Sequence, residues 1–456
     1  MHKEISPLDG RYRERLSRLG ESFSEFALVK ARCEVELCFL EALDATGLFP
    51  PLTEEEKSRV VALRDSFGGE DFACVKAIEA EIRHDVKACE RFLREKLALA
   101  NPNLIHFGLT SADVNNLAYG LLLARYRDEI QLPQLRNLIE ELSVLAERWK
   151  AIAFPARTHG QPASPTTAGK EIAVFVSRLV RQGKQLEAHR FRGKLTGATG
   201  TFASFDAPYP DFDWIGFSER FVSSLGLEPN SCTTQIEDHD GLAEYFGIVS
   251  RINNIVLDLD LDLWEYLSRG DMVQRADDGE IGSSTMPHKV NPIRFENSEG
   301  NLTISNALLH AFSEKLTRSR MQRDLSDTTV KRNIGVALAH GYLAVAETIG
   351  GLAEIEIDEA TARAHVDASP AVLAEAIQTI LRAEGIDDPY ELLRTATRGR
   401  QITIEGLRDL VDGIDVSEKV KERLNELVPT DYVGLAARVC ELALADARAW
   451  LGASEA

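Results

Sequence analysis

Between Leu242 and Leu267, apolar side chains recur at positions 242, 245, 246, 249, 252, 256, 259, 263 and 267. This is the period of an amphipathic α-helix, held for about seven turns. The segment is apolar over more than one stripe, which predicts burial on several sides. Similar patterns run over 113–150, 169–189, 297–316 and 333–352. Rods of this length exceed the ordinary globular helix of roughly 11–12 residues. They predict an all-α fold built on a bundle of long, nearly parallel helices. Pro133 is expected to kink or break the first rod, because it lacks a backbone donor.

Shorter helices are expected on both flanks. Before residue 100 they gather around turns at Phe49-Pro50-Pro51 and Phe67-Gly68-Gly69. In the tail, Ser369-Pro370 and Asp388-Pro389 each read as an N-cap followed by proline at the first helical position. Three helical domains follow: 1–100, 101–352 (the long-helix bundle) and 353–456. Strand signals are few. The glycine-spaced stretch Lys194–Thr201 reads as a short strand or loop. It is a poor phosphate loop, since it lacks the strand-to-helix setting and the GK[ST] ending.

The chain has 456 residues, 44% of them hydrophobic and 27% charged, as in globular proteins of several domains. No stretch approaches 18 consecutive apolar residues, and the first residues carry no apolar signal core, so a cytosolic location is expected. The net charge of −20 argues against a nucleic-acid-binding surface. It leaves room for a small anionic substrate held by local basic groups. Six cysteines lie at 33, 38, 74, 89, 232 and 440 without CxxC spacing, so neither disulfides nor a zinc site is expected.

Polar clusters interrupt the helices: Arg83-His84-Asp85, His106 to Asp113, Arg157 to Pro162, the loop Gly282 to Pro292, and Arg323 to Arg332. Pro287 and Pro292 keep the Gly282–Pro292 run out of a helix interior. Met286, Val290 and Ile293 are not linker residues, so it reads as an ordered loop presenting hydroxyl, ammonium and amide groups. Each of the others has a plainer reading. Thr110-Ser111 can simply cap the helix that follows. His84 fits a helical pattern as an ordinary histidine. Arg323 and Arg332 can be solvated charges at helix ends. His159, next to Gly160 and just before Pro162, sits where no helix runs smoothly.

The run Gly282-Ser283-Ser284-Thr285-Met286-Pro287-His288-Lys289-Val290-Asn291-Pro292 resembles the signature loop of the fumarase/aspartase superfamily of lyases. Ser6 to Tyr12, Arg157 to Pro165, Thr233 to Glu237 and Gly279 to Leu302 resemble its purine-nucleotide branch, bacterial type. The resemblance implies β-elimination of fumarate from adenylosuccinate, giving AMP, and from the succinyl-aminoimidazole-carboxamide ribotide. It implies Ser283 as general base and His159 as general acid. It implies substrate contacts from Arg11, Tyr12, Arg83, His84, Asp85, Thr110, Ser111, Gln235, Ser284, Lys289, Val290, Asn291, Asn297, Arg323, Thr328, Thr329 and Arg332. Such a nucleotide carries two carboxylates and a phosphate, which arginines grip in bidentate fashion. Position 83 is arginine where that branch tends to carry asparagine; a side-chain contact there would alter nucleotide binding, whereas a backbone contact, the expected one, would not. The resemblance further implies a homotetramer with a twenty-helix core and active sites shared between subunits. It implies no metal or organic cofactor, no nucleic acid and no membrane. The alternatives are another lyase of the superfamily, acting on argininosuccinate, fumarate or aspartate, and a structural protein on a retired lyase scaffold. The first would not need the basic, hydroxyl-rich 323–332 turn. The second would have lost Ser283, Lys289, Asn291 or His159.

Overall fold

The structure is a computed structural model that describes residues 3–275, 286, 289–398 and 402–453. It is helical almost throughout, with strand confined to short two-stranded pairs among the described residues. The expected rods are present as Ala168–Ala188, Asp240–Arg269, Ile293–Leu316 and Ile334–Leu352. The first rod is interrupted just before Pro133: helix Ser111–Tyr126 passes through a π-turn, Arg127–Gln131, into helix Leu132–Trp149. The π-turn just before the proline widens the backbone where its ring would otherwise crowd the preceding turn.

Helix starts follow local chemistry. The Ser24 hydroxyl accepts from Ala27 N at 3.1 Å to open helix Glu25–Asp44. Thr53 and Glu56 exchange side-chain to backbone bonds at the start of Glu54–Ser66, a capping box. Ser369 and Asp388 stand as N-caps before Pro370 and Pro389, as expected; Ser369 opens a 3-10 turn rather than an α-helix.

The chain divides into two compact units, each made of three segments. The first comprises 1–134, 185–253 and 301–343; the second comprises 135–184, 254–300 and 344–456. The first unit has an aromatic core. Phe39 meets Phe205, Phe217 and Phe221 at ring-centroid distances of 6.4, 6.0 and 5.6 Å. Trp214 closes onto Phe205 at 5.0 Å. In the second unit, Leu373, Ile377, Leu381, Leu393, Leu407, Val411 and Leu424 form an aliphatic core under the short tail helices. The helical run 326–352 is long and apolar enough to cross a membrane by composition, yet 67% of its most apolar window is buried within the protein, as for a core helix.

The second unit also buries a carboxyl group in its helical core. Asp260 accepts from the Thr348 hydroxyl at 2.9 Å, and Thr348 pairs with Ser298 at 2.9 Å. The second Asp260 oxygen has no partner among the described residues. Burial pushes this carboxyl up to about 8, against the pull of the two hydroxyls. It is therefore neutral at pH 7. An unfolded aspartate ionises near 3.9, so stability is lost as pH rises from about 4 towards 8. Asp260→Asn keeps the shape without the titration. A tenfold change in a protonation equilibrium is worth about 1.4 kcal/mol, so the variant is expected to melt higher than wild type at pH 8 and nearly alike at pH 4. Equal melting temperatures at pH 8 would show that Asp260 is not held protonated.

Candidate active site

In the first unit, several of the residues singled out above lie at helix ends. His84 is the N-cap of helix Asp85–Leu97, with Nδ1 accepting from Lys87 N at 3.2 Å. That bond assigns the neutral ring proton to Nε2, on the opposite side of a half-exposed imidazole. Arg83 just before it is left-handed, φ 53°. Asp85 turns inward: its Oδ2 accepts from Arg32 Nη2 at 2.7 Å and its Oδ1 from Val86 N at 2.9 Å. Burial would raise the Asp85 carboxyl, but the Arg32 charge and these bonds hold it below the usual range. Arg32 Nε donates in turn to Asn115 Oδ1 at 2.8 Å.

Thr110 and Ser111 stand at the start of helix Ser111–Tyr126. Thr110 N donates to Asp113 Oδ2 at 2.8 Å. The other Asp113 oxygen receives Lys194 Nζ at 2.7 Å and Thr196 N at 3.1 Å, and neither side chain of this ion pair has exposed surface. The stretch 194–201 is a loop rather than a strand, buried over 194–197. Gly200, φ 77°, sits so close to Thr233 that a Cβ would lie 1.8 Å from its carbonyl oxygen. The Ala198 carbonyl accepts from Gln235 Nε2 at 3.0 Å, and Gln235 Oε1 accepts from Arg323 Nη1 at 3.2 Å.

Thr328 and Thr329 lie on the short helix Ser326–Lys331, with Arg332 at its end. Thr328 and Arg323 border a small cavity that also meets Arg32, Asn115 and Lys331. Arg332 and Asp85 line a larger cavity of about 230 Å³, with Arg32, Tyr119 and Lys331 on its walls. Arg11 and Tyr12 lie together in the N-terminal turns, the guanidinium 5.9 Å from the ring centroid.

In the second unit, His159 and Gly160 form the two-residue turn of a hairpin between strands Ala153–Thr158 and Gln161–Thr167. Both have positive φ, 53° and 75°, as a type I′ turn requires. The imidazole stands exposed at the tip. Lys289 and Val290 are exposed. The Asn291 carbonyl accepts from Ile293 N at 2.8 Å, where helix Ile293–Leu316 begins. Asn297 Nδ2 donates to Glu347 Oε1 at 3.0 Å. Ser283 and Ser284 lie outside the described residues.

Sequence reasoning passed over Arg32, Asn115, Tyr119, His239 and Lys331. Arg32 interrupts the buried stripe of helix Glu25–Asp44, flanked by Ala31 and Cys33, and a charge in an apolar run is a signal worth reading. Asp327 and Lys331 stand at i,i+4 and pair at 2.7 Å.

A lyase family model matches residues 10–306, and an adenylosuccinate lyase C-terminal model matches residues 319–433. In fold, the chain is similar to 3-carboxy-cis,cis-muconate lactonizing enzyme from Pseudomonas putida: TM-score 0.77, 22% identity, covering 95% of this chain and 97% of that one. It is similar too to fumarate lyase from Mesorhizobium sp. BNC1: TM-score 0.77, 18% identity, covering 94% and 97%. The helical fold and the matched residues make this chain a member of the lyase family. Curated relatives narrow the membership. Adenylosuccinate lyase of Haemophilus influenzae is 45% identical over 96% of this chain and 98% of its own. That of Escherichia coli is 44% identical over 95% and 96%. The chain belongs to the adenylosuccinate lyase family.

Lys194→Met would leave the Asp113 carboxylate buried without its counter-charge. Breaking such a pair on one side costs about 3–5 kcal/mol, so a marked fall in melting temperature is expected by scanning calorimetry. A melting temperature within a degree or two of wild type would mean that Asp113 does not depend on Lys194.

Proposed function

We propose that the chain releases fumarate from adenylosuccinate to give AMP, and from the succinyl-aminoimidazole-carboxamide ribotide in the same way. The observation that carries this reading is the Arg323–Gln235 contact. It joins two proposed substrate ligands 88 residues apart in sequence, beside the basic 328–332 turn. A ligand with two carboxylates and a phosphate fits such a surface.

In this reading Ser283, as alkoxide, takes a proton from the succinyl carbon next to a carboxylate. The C–H electron pair forms the new C=C bond of fumarate. The C–N bond breaks, its pair goes to nitrogen, and His159 supplies the proton. An imidazole suits that task because its titration lies near neutral pH. Lys289 and Asn291 hold the carboxylate on which charge builds, and Lys289 also stabilises the alkoxide. Ser284 and Val290 contact substrate beside them. Arg11, Tyr12, His84, Thr110, Ser111, Asn297, Thr328, Thr329 and Arg332 bind the rest of the nucleotide. Asp85 acts through Arg32, and Arg83 offers backbone.

We assign a homotetramer with shared active sites to the assembled enzyme. Its support is physical: Val174, Leu261, Trp264 and Ile304, on the long helices, stay between 41% and 48% exposed within one chain. Such positions are covered when helices of other copies pack on them. His159, at the exposed tip of its hairpin, suits a group presented to another chain's site.

Purified wild type is expected to release fumarate from adenylosuccinate, and Ser283→Ala to lose roughly a thousandfold or more in kcat. Activity on argininosuccinate instead would overturn the substrate, and a fully active Ser283→Ala would overturn the base. Light scattering is expected to give four times the 50.5 kDa chain mass.

A further inference from the structure

Lys331 is buried and lines both cavities described around the basic turn of the first unit. Its ammonium lies 2.7 Å from Asp327 Oδ2 and 3.3 Å from His239 Nε2, over the Tyr119 ring at 5.7 Å. His239 is buried at the start of helix Asp240–Arg269, with φ 66°. Burial, aided by the Lys331 charge, pushes its imidazole down to about 3. The ring is therefore neutral, and Nε2 is free to accept from the ammonium while Nδ1 carries the hydrogen. The His239 backbone N–H donates to Glu237 Oε2 at 2.8 Å, which fixes its backbone against the loop that holds Gln235.

Two tethers therefore join the 323–331 segment to the 235–239 loop. One is Arg323 to Gln235, between half-buried side chains that both turn to substrate in the reading above. The other is Lys331 to His239, between two buried side chains that are not among the proposed substrate ligands. A buried ion pair adds little net stability compared with apolar residues of the same size, and its best-attested use is to fix one arrangement.

We propose that Lys331 is a positioning residue: held by Asp327 and bonded to His239, it locks the 326–331 helix to the 235–239 loop. This keeps Gln235, Arg323 and Thr328 set for the nucleotide while substrate is bound. The inference rests on the adenylosuccinate reading.

The test uses full-length wild type and the double variant Asp327→Leu/Lys331→Met, which removes both charges and strands neither. The variant is expected to keep its melting temperature within a few degrees. Its KM for adenylosuccinate should rise about tenfold or more while kcat changes less than about threefold, the signature of lost binding rather than lost chemistry. Lys331→Arg should lie nearer wild type in KM than the double variant does. A folded double variant with KM within about twofold of wild type overturns the proposal. Should the double variant fail to fold, His239→Gln, whose amide oxygen replaces Nε2, is compared with His239→Leu. A raised KM in the leucine variant alone supports the tether, and equal KM values overturn it. A wild type inactive on adenylosuccinate would instead overturn the substrate reading beneath it.

Discussion

Asp113 and Lys194 share one ion pair with no exposed surface, and the arrangement of the site in the first unit is hung on it. One carboxylate oxygen fixes the backbone of Thr110 at a helix start; the other gathers the ammonium and the backbone of Thr196. Lys194 Nζ also donates to the Gly197 carbonyl at 3.0 Å. The loop so held carries Ala198, which receives Gln235, which receives Arg323. Residues separated by more than 200 positions are thereby set by bonds that each meet ordinary distance criteria. Burial draws the Lys194 ammonium pKa down, and the partner carboxylate draws it back. The pair is tolerable inside the protein because backbone donors and a carbonyl satisfy what the two charges leave over.

Left-handed backbone recurs at polar positions in both units. Apart from glycines, positive φ occurs at Arg83, His106, His159 and His239, among others. Each is polar and each stands at a helix or strand end. Such conformations cost energy and persist where surrounding contacts over-determine them. Position 83 gains a physical account here. Asparagine tolerates the left-handed region better than arginine, so the asparagine of the resembling branch fits the backbone of this turn.

The long helices were legible because their signal is local and repeated. The 242–267 and 169–189 patterns correspond to Asp240–Arg269 and Ala168–Ala188 within two residues at each end. The hairpin 153–167 was not legible. Pro155, Pro162 and Pro165 obscure any strand pattern, and both strands tolerate proline only because each has a free edge. The site divides the same way. Motif residues such as Arg323 and Gln235 were named from the chain, whereas Arg32 and His239 acquire meaning only from partners far off in sequence, and Lys331 from His239 as well as from its i,i+4 neighbour Asp327. Periodicity carries no information on which buried cation meets which acceptor.

The division into two units has a consequence for the order in which the protein is made. Neither unit is a continuous piece of chain; each needs three segments, and the two sets alternate along the sequence. A ribosome that has released residues 1–134 has delivered less than the first unit requires, since 185–253 and 301–343 are still to come. At roughly 5–20 residues per second, the interval from residue 134 to 343 lasts about 10–40 s. Until Phe205, Phe217 and Phe221 emerge, Phe39 lacks the rings that will cover it. The nascent chain therefore carries unburied aromatic surface through much of its synthesis, the kind of surface on which chaperones act.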